Sequence, residues 1–102
     1  MMDKFLSMLG ICRKAGRMVI GANDTQEAIK KGKTILIYIA SDLSQKTEKE
    51  LLFAVKDKPI EVVRTRYDMV TLSNAIGIKT GVISINDQGF AEALKTKYQG
   101  EI

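Results

Sequence analysis

The apolar positions change period along the chain, and those changes mark out alternating helices and strands. Near the start Phe5, Met8, Leu9 and Cys12 recur at three- and four-residue steps, with Leu6 beside them, which predicts a helix over residues 3–15. Gly16 ends it, after Arg13 and Lys14 in the last turn. Met18 to Ile20 reads as a short strand, and a second helical pattern runs from Asn23 to Lys31 with Ala28 and Ile29 among its apolar positions. Ile35 to Ala40 is continuously apolar, rich in β-branched residues and too short for a helix. It predicts a strand buried on both faces, central and parallel to a neighbour. Residues 41–44 form a loop. Thr47 with Glu50 supplies a capping box for a third helix that buries Leu51, Leu52 and Val55, and Lys58-Pro59 breaks it.

Glu61 to Arg64 is the next strand, and Thr65 can cap a short helix holding Met69, Val70 and Leu72. Residues 74–81 read as a loop or frayed helix end between two glycines. Val82 to Ile85 is the last strand, and Asp87 caps a final helix with Phe90, Ala91 and Leu94. No linker, repeat or low-complexity segment interrupts the series. A helix followed by alternating strands and helices predicts an α/β fold, a three-layer α/β/α sandwich with a four-stranded mixed sheet, in a single domain over residues 1–102.

The stretch around which this order turns is Val19 to Lys33. It reads as strand, Gly21 turn, helix start, helix and stop, with Asn23 as N-cap, Gln26 completing a box-like pattern, and Gly32 at the C-cap. A helix start carries free N–H groups and the positive end of a dipole, a natural place for a phosphate or a base edge.

Composition narrows the chemistry. No apolar run among the 102 residues reaches the roughly 18–20 needed to span a membrane, and the N-terminal stretch lacks the basic opening of a secretory signal. Cys12 is alone, which excludes an internal disulfide and fits a reducing cytoplasm. The absence of histidine removes Ser-His-Asp and Cys-His catalysis and most zinc sites. Carboxylates and lysines can still do acid–base work, so this counts against an enzyme without excluding one; no metal or cofactor is expected. The net charge of +4 is unevenly placed. Residues 1–33 hold seven basic groups (Lys4, Arg13, Lys14, Arg17, Lys30, Lys31, Lys33) against three acidic ones, whereas residues 34–102 hold nine of each. A basic patch focused on the opening stretch suggests nucleic acid, although a basic solvated surface has the same composition.

Each candidate also has a plain reading. Gly21-Ala22-Asn23-Asp24 serves as an ordinary turn and cap, or it presents an amide and a carboxylate to base edges in distorted RNA. Gly77-Ile78-Lys79-Thr80-Gly81 is a strand-entry loop, yet Ile78 is an apolar residue there, able to pack inward or to cover an exposed base. Cys12 lies on the apolar stripe and reads as core. Lys95 and Lys97 read as solvated charges. The aromatics (Phe5, Tyr38, Phe53, Tyr67, Phe90, Tyr98) are scattered and form no RNA-recognition platform.

Taken together, Gly21-Ala22-Asn23-Asp24, then Ala28, Gly32 and the run ILIYIASD resemble the kink-turn-binding ribosomal protein family, the L-seven-Ae family. Leu72 to Gly77 and Val82 to Ile85 are similar to its closing loop and strand. The opening LGICRKAGRMVIG and the stretch Asp87 to Ala91 look most like its small bacterial YlxQ-type members. The resemblance implies an α/β/α sandwich that binds kink-turns in RNA. By position, Gly21, Asn23 and Asp24 would lie at tandem sheared G·A pairs, and Ile78, Lys79 and Thr80 would form a loop covering a looped-out region. There are three departures. Asp24 stands where Glu is commoner and reaches one methylene less. Glu27 stands where many members have Lys, so repulsion replaces a phosphate contact. Val19 and Ile20 stand where some members have basic residues. Arg13, Lys14, Arg17, Lys30, Lys31 and Lys33 are then the source of backbone contacts.

With what the resemblance implies, the sequence predicts a cytoplasmic, monomeric, non-catalytic protein that binds structured RNA, ribosomal or another kink-turn RNA, either associated with the ribosome or acting on a structured RNA elsewhere, and not on a membrane. Two other classes fit less of the pattern. One is a small enzyme or ligand-binding domain holding an anion at the helix start after Gly21, and the other is a protein adaptor with no RNA role.

Overall fold

The computed structural model describes residues 3–100, and the side chains through Tyr98. The ends of the predicted 1–102 domain therefore lie outside the described residues. The element order is α1 (Lys4–Lys14), β1 (Met18–Ile20), α2 (Ala22–Lys30), β2 (Leu36–Ile39), α3 (Gln45–Ala54), β3 (Glu61–Arg64), α4 (Met69–Ile76), β4 (Val82–Ile85) and α5 (Gln88–Gly100). The strands form one sheet in the order β1-β4-β2-β3. β2 is parallel to β3 and antiparallel to β4, and β1 is antiparallel to β4. The predicted mixed sheet is present, and β2 is central as its apolar run requires.

Alternation along the central strands divides the core. Leu36, Tyr38, Ile83 and Ile85 face a layer built by Phe5, Leu6, Leu9 and Cys12 of α1, Leu72 and Ile76 of α4, and Ala91 and Leu94 of α5. Ile37, Ile39 and Val82 face Ile29 of α2, Leu51 of α3 and Val55 at its C-cap. The result is the α/β/α sandwich. Cys12 is fully buried on the first side, as its stripe predicts, and burial, followed by the charge of Asp87, pushes its thiol up to about 11.

Several local expectations need correction. α3 is capped by Ser44, whose hydroxyl accepts from Thr47 N–H at 3.2 Å, not by Thr47. Leu52 lies 47% exposed because Leu51 points inward and the next residue is turned about 100° round the helix. α4 is capped by Asp68 rather than Thr65. The Thr65 hydroxyl instead donates within the core, 3.0 Å from Ile39 O and 3.1 Å from Tyr67 O. Residues 74–76 are helical, and the loop begins at Gly77. The expected cap at Asp87 is present, with its carboxylate accepting from Phe90 N–H at 2.9 Å. Four of the six scattered aromatics converge in space: Phe5 packs 5.0 Å from Tyr38, 5.6 Å from Tyr67 and 4.9 Å from Tyr98 between ring centres, whereas Phe53 is exposed. Among the described residues, no helix is long and apolar enough to cross a membrane.

Candidate functional site

The chain leaves β1 through Gly21, with φ 99° and ψ 154°, a region essentially reserved for glycine. A Cβ there would meet open space, so the backbone angle and not crowding demands glycine. Gly21 N–H donates to Val82 O at 2.9 Å, and its carbonyl accepts from Thr25 N–H at 3.0 Å. One residue thus ends the β1–β4 ladder and opens α2. This is why the expected Asn23 cap, and the box with Gln26, do not form. The first intrahelical bond closes at Gly21, and Asn23 falls inside the first turn with no side-chain cap at the helix start. Asn23 and Asp24 are both exposed there. The uncapped N–H groups and the dipole add positive potential beside them.

The loop before β4 meets the same place through the Gly21–Val82 bond. Gly77 ends α4 in the left-handed conformation, φ 81°. Ser73 Oγ then holds Thr80 at both backbone groups, accepting from its N–H at 3.0 Å and donating to its carbonyl at 3.2 Å. Thr80 is buried, and its hydroxyl is engaged with Val82, donating to Val82 O at 2.9 Å. Of the three loop residues carried over from the family resemblance, Thr80 therefore anchors the loop. Ile78, 40% exposed, and Lys79 stand out from it.

The basic residues separate into groups. Arg13 and Lys14 lie in the last turn of α1, and Arg17 lies beyond it at the start of β1, at the other end of that strand from Gly21. The Arg13 guanidinium donates to Ile76 O at 2.7 Å, so part of its hydrogen-bonding capacity holds the end of α4. Lys30 pairs with Glu27 at 3.7 Å, with both side chains largely exposed, a contact worth little in water. Lys30 also borders a shallow groove with Lys58, Pro59 and Ile60. Lys31 and Lys33 border a different groove, one shared with Asp24 and Glu27. Spacing alone puts Lys30 and Lys31 together, whereas the helix turns them to different sides.

That second groove also holds Asn86, which the sequence reading passed over. The signal was available only through pairing. Val82, Ser84 and Asn86 alternate onto one face, and the β1–β4 register sets Val19 opposite Ser84 on that face.

The chain matches the ribosomal protein L7Ae/L30e/S12e/Gadd45 family over residues 3–95. It is 27% identical over 101 residues to the RNA-binding protein YlxQ of Enterococcus faecium, covering 96% of this chain and 94% of that one. A solved protein of unknown function from Bacillus halodurans superposes with a TM-score of 0.89 at 28% identity, covering 96% of this chain and 99% of that chain. The Giardia lamblia 15.5kD RNA binding protein superposes with a TM-score of 0.74 at 22% identity, covering 95% and 86%, and shares the fold. With the sandwich, the Gly21 helix start and the pinned loop in place, this chain belongs to the ribosomal protein L7Ae/L30e/S12e/Gadd45 family.

Proposed function

We propose that the protein is a single-domain, cytoplasmic RNA-binding protein that docks, without catalysis, on RNA bent at tandem sheared G·A pairs, including kink-turns of ribosomal RNA. The observation that carries this reading is the bond from Gly21 N–H to Val82 O. It holds the exposed Asn23 and Asp24 beside the strand entry to which the Ile78 loop leads. The amide of Asn23 both donates and accepts, and the Asp24 carboxylate accepts from guanine N–H groups. Sheared pairs expose those edges, which regular A-form helices hide. Ile78 offers an apolar surface to an unstacked base, and the lysines and arginines supply salt-dependent attraction to phosphates. Because the bent RNA makes these contacts and the extended one does not, binding shifts the RNA toward the bend.

The test is a titration of a kink-turn RNA labelled on its two stems, against the same RNA with its G·A pairs replaced by Watson–Crick pairs. Selective binding with stem closure is expected. Equal affinity for both RNAs would overturn the reading. Co-sedimentation of the protein with ribosomal subunits tests the proposed ribosome association separately.

A further inference from the structure

The groove beside α2 has opposite character at its two ends. Val19 and Ala28 are its apolar lining residues. Near the helix start stand the carboxylates of Asp24 and Glu27, and near the helix end stand Lys31 and Lys33 with Asn86. From Asp24 to Lys31 the helix rises about 10 Å at about 1.5 Å per residue. Arg17 does not line the groove but neighbours its basic end through the sheet. Asn86 N–H donates to Arg17 O at 3.0 Å, continuing the register that pairs Met18 with Ile85 and Val19 with Ser84, so residues 17 and 86 lie directly opposite one another.

The orientation of the Asn86 amide is set from inside the protein. Ser84, fully buried, has its hydroxyl 3.2 Å from Asn86 Oδ1 and 3.1 Å from Thr34 Oγ1, itself buried. A carboxamide oxygen only accepts, so the Ser84 proton goes to Asn86 and the Thr34 hydroxyl donates to Ser84. This relay turns the carboxamide oxygen inward and leaves its two N–H groups toward the groove. The neighbouring Asp87 carboxylate faces away and caps α5 at Phe90 N–H.

We infer that Asn86 is a phosphate-contacting residue, and that the basic end of the groove holds the backbone of the stem leaving the G·A pairs. This rests on the RNA-docking reading above and extends it. The acidic end faces base N–H groups, and the basic end faces phosphates. The roughly 10 Å between the two ends places the contact on the stem strand next to the pairs, within the first few phosphates. A neutral amide supplies position and hydrogen bonds there, while Lys31, Lys33 and Arg17 supply charge.

The experiment scans the stem strands of a kink-turn RNA with single methylphosphonates, which neutralise one phosphate at a time, against the wild type and Asn86→Ala. Asn86→Ala is expected to weaken binding roughly tenfold, equivalent to about 1.4 kcal/mol, without changing the slope of affinity against salt. One methylphosphonate in the stem next to the G·A pairs should weaken the wild type clearly more than it weakens Asn86→Ala, which keeps only the lysine and arginine attraction to that phosphate. Asn86→Asp keeps the acceptor for Ser84 and replaces the donors with negative charge. It should bind more weakly than Asn86→Ala, and it carries the test if thermal melting finds the alanine variant unfolded. If the wild type prefers the kinked RNA but every methylphosphonate adds to the Asn86 variants in full, the Asn86 contact is wrong and the docking reading stands. If the wild type shows no such preference, the docking reading fails and this inference falls with it.

Discussion

Arg13 Nη1 donates to Ile76 O at 2.7 Å, tying the end of α1 to the last carbonyl of α4 and thus to the start of the Ile78 loop. Gly77 follows at once, and a Cβ at that position would lie 3.3 Å from the same guanidinium nitrogen. A residue expected only to attract phosphate therefore also positions a loop. Arg13→Ala should lower stability by about 1–2 kcal/mol and raise hydrogen exchange at residues 77–80. Arg13→Lys keeps the charge but not the planar fork. If the contact positions the loop, lysine will not restore the protection. Full restoration by lysine would reduce Arg13 to a point charge.

Gly21→Ala should cost about 1–3 kcal/mol, because alanine is strained at φ 99° whatever the surrounding space. Denaturant unfolding measures the loss. An unchanged midpoint would mean that the turn can relax to ordinary angles, and that glycine is not what sets the entry to α2.

Asn23→Ala should leave stability within about 0.5 kcal/mol, since Gly21 and not Asn23 holds the N-cap position and no side-chain cap bond exists to be lost. The same variant should lose preference for sheared G·A pairs over Watson–Crick pairs. Structure and sequence lead to different expectations here, because a capping Asn23 would have cost stability as well. Retained selectivity in the folded variant would remove Asn23 from the interface.

Glu27 lies one turn beyond Asp24, on the stripe that borders the groove, and its carboxylate offsets Lys30 at 3.7 Å. Glu27→Lys should tighten RNA binding by on the order of 1 kcal/mol at low salt and steepen the salt dependence. Glu92→Lys, an exposed change on α5 in the opposite helical layer, is the control for net charge. Equal gains from both substitutions would show that only bulk charge matters.

Cys12 gives a pH dependence of known sign. Its folded thiol titrates at about 11, raised chiefly by burial from the ordinary value of 9.0 that the unfolded chain keeps. Between those values the unfolded chain loses the proton and the folded chain keeps it. Stability therefore falls as pH rises through that window, by on the order of 2–3 kcal/mol at its upper end, and is unaffected below it. Cys12→Ala should flatten this part of the stability profile, measured as denaturant midpoints at pH 8 and pH 10.

The order and type of the elements were set locally and could be read directly. β2 announced itself because six consecutive apolar residues, Ile35 to Ala40, suit only a strand covered on both faces. The turn at Gly21 and the cap at Asp87 are short-range chemistry and were equally legible. Family membership lay in the spacing of small motifs along the whole chain. What the sequence left open were choices between neighbours competing for the same bond. Asn23 is a good cap in isolation, but Gly21 is held by Val82, a residue 61 positions away, and closes the helix first. Ser44 and Asp68 displaced Thr47 and Thr65 in the same way. Which cation faces which groove, the inward turn of Thr80, the hold of Arg13 on Ile76 and the place of Asn86 beside Lys31 depend on strand pairing and helix packing. Those contacts join residues distant in the chain, and no local pattern records them. Only the tertiary structure decides where such side chains meet.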